Sequence, residues 1–322
     1  MKKNKFTNIL KKAFKLVSYA TIGVFALYVI GLSIIIPYYI GYLENFKPAS
    51  SEKIVAHYQL RGDNPLAYDF EYEDIIFETE DGIKLSGWFI ESEQQSNRCI
   101  YMIHGWKSSG VACLSFLDII KEYSLNKEHN IFIINLRNSG NSSKIPSDLG
   151  YKTSKDVFEG MKFLKQKQYI DSIKIFAISM GAMAATTCLN LYEKRIKDLG
   201  IKIEKVLFDS PLSDAKNAIK SEESIVQFLS SLVYEPFFFV VNYRWDNMLN
   251  KLNFSTLMKN IDVSKMLILQ SEKDKLTKLS SLKKQIKDVP VEVILFEQGA
   301  HARIFQSNKI EYKKVFGEFF LD

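Results

Sequence analysis

Six short runs of almost uninterrupted apolar residues recur along this chain. They are "RCIYMI" at 98–103, "NIFIINL" at 130–136, "SIKIFAI" at 172–178, "KIEKVLFD" at 202–209, "KMLILQ" at 265–270 and "VEVILFE" at 291–297. Each is strand-sized and too short for a stable helix. The intervals between them carry helical signals. A helix is expected near 111–124, and another where Val157, Met161 and Leu164 recur at helical spacing behind Thr153 or Ser154 as cap. Further helices are expected from Ser179 to about Lys197, near 279–287, and over about 304–320. Strands that are apolar on both faces and alternate with helices predict an α/β fold, with a mostly parallel sheet covered on both sides. Before them, "YEDIIFETEDGIKLSGWFIE" holds two alternating runs around Asp81-Gly82, a hairpin signal. Residues 211–260 break the rhythm: they are helical in character, rich in aromatics ("EPFFFVVNYRW"), and read as an inserted helical cap. With 322 residues the chain is long enough for a large core.

The N-terminus obeys a different logic. Residues 16–43, "LVSYATIGVFALYVIGLSIIIPYYIGYL", contain no charge. A spanning helix needs about 20 mostly apolar residues, so this stretch is expected to cross a membrane. Tyr38, Tyr39 and Tyr42 suit an interfacial belt, and Pro37 is expected to mark the helix end. Six lysines (Lys2, Lys3, Lys5, Lys11, Lys12 and Lys15) precede it with no acid among them. Residues 1–15 therefore form a basic tail expected to stay in the cytoplasm, with the rest of the chain on the outer face. A cleaved signal peptide is the rival, but its apolar region is usually only about 7–15 residues and no small-x-small cleavage site is evident. A buried core helix would carry a polar face, which this stretch lacks. Without the six lysines, basic and acidic residues balance at 37 each, and no nucleic-acid footprint remains. Residues 44–70 are polar, hold Pro48, Gly62 and Pro65, and are expected to be a linker or a loosely packed lead-in to a domain over 71–322. Cys99, Cys113 and Cys188 have no CxxC spacing, which argues against a metal site and for three small buried side chains.

The stretch "IKIFAISMGAMA" at 173–184 places Ser179 where a strand turns into a helix. So sharp a turn needs small neighbours two positions either side, and Ala177 and Gly181 stand there, giving A-x-S-x-G in place of G-x-S-x-G. A serine hydroxyl needs a base to become a nucleophile. Of the four histidines, His57 precedes the domain and His129 precedes a strand, at the wrong end of the sheet. His301 follows the last strand at the productive end and is the first candidate; His104, at the end of "RCIYMIH", is the second. The base needs an orienting acid. Asp274 follows the penultimate strand, and Asp209, at the end of "VLFD", is its rival.

The chain order Ser179, Asp274, His301 and the stretches "MIHGWKSSG", "INLRNSGNSS", "AISMGA", "LQSEKD" and "GAHAR" resemble the successive motifs of the α/β-hydrolase superfamily. They most resemble its bacterial membrane-anchored, serine aminopeptidase S33-like group, over about residues 71–322. The resemblance implies an α/β-hydrolase fold and a Ser179-Asp274-His301 triad. It also implies an oxyanion hole made by the backbone N–H groups of Trp106 and Met180. His104 would then be structural. In "LRNSGNSS", Asn138 and Ser139 stand where the family commonly has Gly and His. Arg137 is expected in a structural ion pair. Phe237, Phe238 and Phe239 are expected to pack the cap, with an acyl pocket or the bilayer as alternatives. The function implied is a membrane-anchored serine hydrolase working through an acyl-enzyme on a small-molecule or lipid-like carboxylic ester, thioester or amide. Such a triad needs no metal or organic cofactor. The rival is a membrane-tethered binding or scaffold protein that keeps the fold without the chemistry.

Overall fold

A computed structural model describes residues 2–166, 170–221 and 231–321. Part of the expected cap, 222–230, lies outside the described residues. The eight strands are β1 (Glu73–Glu78), β2 (Lys84–Ile90), β3 (Arg98–Ile103), β4 (Asn130–Asn135), β5 (Ser172–Ile178), β6 (Lys202–Asp209), β7 (Met266–Ser271) and β8 (Glu292–Phe296). They form one sheet in the order β1-β2-β4-β3-β5-β6-β7-β8. The hairpin at Asp81-Gly82 pairs β1 with β2, β2 runs antiparallel to β4, and from β4 to β8 all neighbours are parallel.

The six apolar runs are the six parallel strands. Their continuity has a plain cause: β4 and β5 are buried along their whole length, so both faces need apolar side chains. Tyr101 and Ile103 of β3 enter one core layer, while Ile100 and Met102 enter the other. After β3 the chain steps to β4 on one side, then returns to β5 on the other, so the topology switches between β3 and β5. That is where open α/β sheets bind ligands, outside the carboxyl ends of the strands. The carboxyl end of β3 carries His104-Gly105-Trp106, and that of β5 carries Ser179.

The helices are α1 (Lys2–Glu44), α2 (Ser51–Tyr58), α3 (Leu117–Glu122), α4 (Lys152–Gln166), α5 (Met180–Leu191), α6 (Glu193–Asp198), α7 (Ala215–Ser221) and α8 (Ser231–Arg244). Helices Leu279–Gln285 and Lys309–Leu321 follow, with several single turns between elements. The helix expected near 111–124 opens instead as 3-10 turns over Gly110–Phe116 before α3. Thr153 and Ser154 do not cap α4; they lie in its first turn. The Asp148 carboxylate accepts from the amides of Lys152 (2.6 Å) and Thr153 (3.4 Å), and a carboxylate suits the helix N-terminus. The helix after Ser179 breaks at Tyr192 and resumes as α6.

The largest departure concerns α1. Pro37 does not end it; the helix runs on to Glu44. A proline removes one backbone donor and usually breaks a helix, but here tertiary packing holds the final turns. Ile36, Tyr39, Ile40 and Leu43 are buried in the core layer that includes Phe237, Phe238 and Val241 of α8. Glu44 is a carboxylate at a helix C-terminus, where the dipole disfavours it. It accepts from Arg244 (2.6 Å) and from Trp245 Nε1 (2.9 Å), which offset that penalty. Residues 44–70, expected as a linker or loose lead-in, hold α2 and contribute Ile54, Tyr68 and Phe70 to the second core layer. By length and composition, α1 qualifies to cross a membrane over Lys11–Glu44. The three cysteines are unpaired and buried, and burial pushes their thiols up.

Candidate active site

Ser179 links β5 to α5 with φ 55° and ψ −117°, a backbone conformation rarely held by a residue with a side chain. Two glycines make the turn possible. A Cβ on Gly181 would stand 2.6 Å from the carbonyl oxygen of His104, so only glycine lets α5 start this close to β3. A Cβ on Gly105 would stand 3.1 Å from Ser179 Cβ. Ala177, the departure from the usual motif, lies inside β5 between Ile103 and Phe208, where its methyl is fully buried. The Ser179 amide donates to the Asp209 carbonyl (3.0 Å), and the Leu212 amide donates to the Ser179 carbonyl (3.0 Å). The strained turn is thus tied to the neighbouring loop on both sides.

Ser179 Oγ lies 2.8 Å from His301 Nε2, and His301 Nδ1 lies 2.8 Å from Asp274 Oδ2. With the carboxylate as acceptor, Nδ1 carries the proton and Nε2 faces the serine as an acceptor. Burial pushes the Asp274 carboxyl up, but hydrogen bonds from His301 and Thr277 outweigh it and hold the group below its ordinary value. The carboxylate also accepts from the amides of Leu276 and Thr277, both at 2.9 Å, and from Thr277 Oγ1 at 2.7 Å. The aspartate at this point is charged and fixed in place.

The rival residues are placed elsewhere. Asp209 is buried, accepts from Ser210 Oγ (2.8 Å) and Tyr312 Oη (2.7 Å), and is pushed by burial up to about 6. His104 Nε2 accepts from the Leu136 amide (3.1 Å) and its Nδ1 donates to the Gly105 carbonyl (2.8 Å), while burial lowers it to about 4. It is a neutral brace under the loop that carries Trp106. His129 is buried at the opposite end of the sheet, 3.1 Å from the Leu125 carbonyl. Arg137 forms a buried bidentate pair with Asp156 (2.7 Å) and is absent from the site. Asn138 adopts φ 61°, a conformation asparagine tolerates, and its Nδ2 donates to the Phe46 carbonyl at 2.8 Å.

Three supporting residues escaped the sequence reading. Thr277 anchors Asp274. Ser210 Oγ accepts from the Ala302 amide (3.1 Å), and Ser271 Oγ donates to the Gly299 carbonyl (2.6 Å), so both brace the His301 loop. A short hydroxyl side chain after a strand end was their only signal, and such residues are common there. A cavity of about 90 Å³ lies against Ser179 and His301, walled by Leu43, Trp106, Leu149, Leu212 and Ile219 among others. Phe237 and Phe238 are buried in the core, and Phe239 is exposed. Met180 N–H is the first amide of α5 and has no acceptor within its own helix. Trp106 follows Gly105 on the facing loop. Among the described residues no cluster of three or more His, Cys, Asp or Glu could hold a metal ion.

No family model matches the sequence, and no curated protein matches it. Solved structures do. An esterase of Pyrococcus furiosus is 25% identical, with a TM-score of 0.61 over 80% of this chain and 94% of that one. The chain is an α/β-hydrolase. A structure titled as DcsB in complex with its substrate analogue is 15% identical and matches at a TM-score of 0.56, over 78% of this chain and 99% of that one. An esterase from Exiguobacterium antarcticum is 14% identical and matches at 0.50, over 78% and 100%. At such identities these last two speak to the fold alone. The mixed eight-stranded sheet, with only β2 running antiparallel, belongs to this α/β-hydrolase fold.

Proposed function

We propose that this α/β-hydrolase is a membrane-anchored serine esterase whose catalytic residues are Ser179, His301 and Asp274. The carrying observation is the unbroken chain of two 2.8 Å contacts from Ser179 through His301 to Asp274, starting on a strained elbow. His301 Nε2 takes the Ser179 proton as Oγ attacks the carbonyl carbon of the ester. The negative charge that develops on the carbonyl oxygen is received by the amides of Met180 and Trp106. His301 returns the proton to the departing alkoxide as the C–O bond breaks, leaving an acyl-serine. Water then attacks that acyl group, gives its proton to His301, and the serine is regenerated. Asp274, already charged, stabilises the imidazolium in both halves. A scaffold without chemistry would have no need to keep all three side chains in register.

Two observations support the anchor. The apolar side chains of α1 over residues 16–30 face mainly outward: Leu16 is 72% exposed and Leu27 71%. A core helix of a soluble protein would bury them. Packing against the domain begins at Leu32, so residues 16–31 leave about 16 residues, roughly 24 Å of helix, free of the domain. That length covers most of the roughly 30 Å hydrocarbon core of a bilayer and would seat the domain directly on the membrane. The basic tail argues for a cytoplasmic N-terminus. Protease added to intact spheroplasts should digest the domain; full protection would overturn this orientation.

The chemistry is tested by fluorophosphonate labelling and p-nitrophenyl acetate turnover. The wild type should be labelled, and Ser179→Ala should lose both label and at least about 10⁴-fold in kcat while keeping its melting temperature. An unlabelled wild type, or a label that survives the substitution, overturns the assignment.

A further inference from the structure

We propose that the membrane-side helix α1 closes the acyl pocket, and that Leu43 limits the substrate to short aliphatic acyl groups of about four carbons or fewer. This deepens, and rests on, the serine-esterase reading. In an acyl-enzyme the acyl group stays bonded to Ser179 Oγ, so it must occupy space that touches Ser179. Among the described residues, a cavity of about 90 Å³ is lined by Ser179 and His301 and is assigned to the acyl group. An aliphatic cavity of about 150 Å³ takes benzene, with six carbons; on that scale this one takes three or four. Of its lining residues, Ser179, Thr277 and His301 are engaged in the site, and Leu43, Leu149, Leu212, Ala218, Ile219 and Leu276 are aliphatic, which suits an apolar acyl chain.

One wall is the end of α1. Leu43 is 1% exposed and lines the cavity. It has little room to yield, because its neighbours on both sides are pinned. Glu44, the next residue, is gripped by Arg244 and Trp245. The Glu44 carbonyl accepts from the Ser147 amide (2.7 Å), which ties α1 to the loop carrying the second wall residue, Leu149. Phe46 is held through its carbonyl by Asn138. Tyr42 and Phe46 pack edge-on against Trp106, with ring centroids 5.9 and 5.5 Å away. The anchor thus builds the pocket as well as holding the domain to the bilayer. Asn138, a departure from the family motif, is one of its fastenings.

The test uses the full chain in detergent, with p-nitrophenyl acetate, butyrate and octanoate below their micelle-forming concentrations. The wild type should favour butyrate over octanoate by at least tenfold in kcat/KM, since one misplaced methylene in such a pocket already costs about tenfold or more. Leu43→Ala should reduce that preference at least tenfold. Leu43→Phe should act in the opposite sense, lowering butyrate relative to acetate by about tenfold, and it guards against an alanine variant that fails to fold. Octanoate turnover equal to butyrate in the wild type overturns the proposal. So does a chain-length profile that neither substitution moves. If Ser179 is labelled by the fluorophosphonate, such a flat profile removes only the pocket assignment. An unlabelled Ser179 with no ester turnover removes the esterase reading and this one together.

Discussion

The loops after β6 and β7 look alike in outline. Each has a buried aspartate at or just beyond the carboxyl end of its strand, and both carboxyls lie near the His301 loop. Their electrical states differ. Asp209 lies in a pocket closed by Tyr312 and Ser210, whose two hydroxyls do not offset burial, and it is pushed up to about 6. Asp274 is also penalised by burial, yet two amides, the Thr277 hydroxyl and the His301 ring hold it below its ordinary value. Burial alone therefore does not decide the charge of a carboxyl. The number and type of donors aimed at it do. Asp274 is built to stay charged beside an imidazole, and Asp209 is built to brace the loop.

The sharpest way to break this contrast is to neutralise each carboxyl in turn. Asp274→Asn keeps the shape but loses the charge and the acceptor that fixes the His301 tautomer. It should lower kcat on p-nitrophenyl acetate by about 10³–10⁴-fold. Asp209→Asn should stay within about tenfold of the wild type. Losses of equal size in the two variants would show that the loops share the task and that the contrast fails.

The next effect is on stability, and it has opposite signs at the two positions. For Asp209 the folded pKa lies above the unfolded one of about 3.8, so this group costs stability as pH rises through 4 to 6. For Asp274 the folded pKa is depressed. Its contribution is present above the unfolded value and is lost as pH falls through the folded one. Asp209→Asn should therefore gain on the wild type between pH 4 and pH 7. A shift from 3.8 to about 6 corresponds to a gain on the order of 2–3 kcal/mol. Melting temperatures of the two proteins in detergent at pH 4.5 and 7.5 check it. A constant gap across that range would mean Asp209 does not titrate there.

How much of this was legible follows the same line between outline and detail. The strands were readable because β4 and β5, buried on both faces, cannot carry polar residues without cost. Ser179 and His301 were readable because position at a strand end and scarcity of histidine left few rivals. The sequence favours Asp274, with Asp209 as rival, but local pattern alone does not explain the choice, since "VLFD" ends a strand in a carboxylate and "LQSEKD" places one three residues beyond a strand. What separates them is Thr277, three residues further on, and the direction of two amides, which no local pattern encodes. The pocket wall was hidden for a different reason. Leu43 reads as one more apolar residue of an uncharged helix, and Pro37 suggests that the helix has already ended. Only long-range partners reveal that its last turns belong to the domain: Arg244 and Trp245 hold Glu44 from about 200 positions away, and Asn138 holds Phe46 just beyond the helix. Asn138 looked like a loosened motif and is a clamp.

The smallest expected effect probes the donor that makes the Asp274 loop differ from its neighbour. Thr277 Oγ1 donates to Asp274 Oδ2 at 2.7 Å and lies 3.2 Å from His301 Nδ1. Thr277→Val removes that hydroxyl with little change of shape and leaves both amide donors in place. A hydrogen bond to a charged group contributes about 1.5–3 kcal/mol, but the remaining donors share the load, so kcat should fall by only about tenfold. With one donor fewer, the carboxyl rises toward its ordinary value, and loss of activity in acid should begin at higher pH. Thr277→Ser restores the hydroxyl and should restore both kcat and the acid limb. If Thr277→Val instead matches the wild type in both, the amides of Leu276 and Thr277 and the His301 ring suffice to hold the charge. The difference between the two loops would then lie in their backbones.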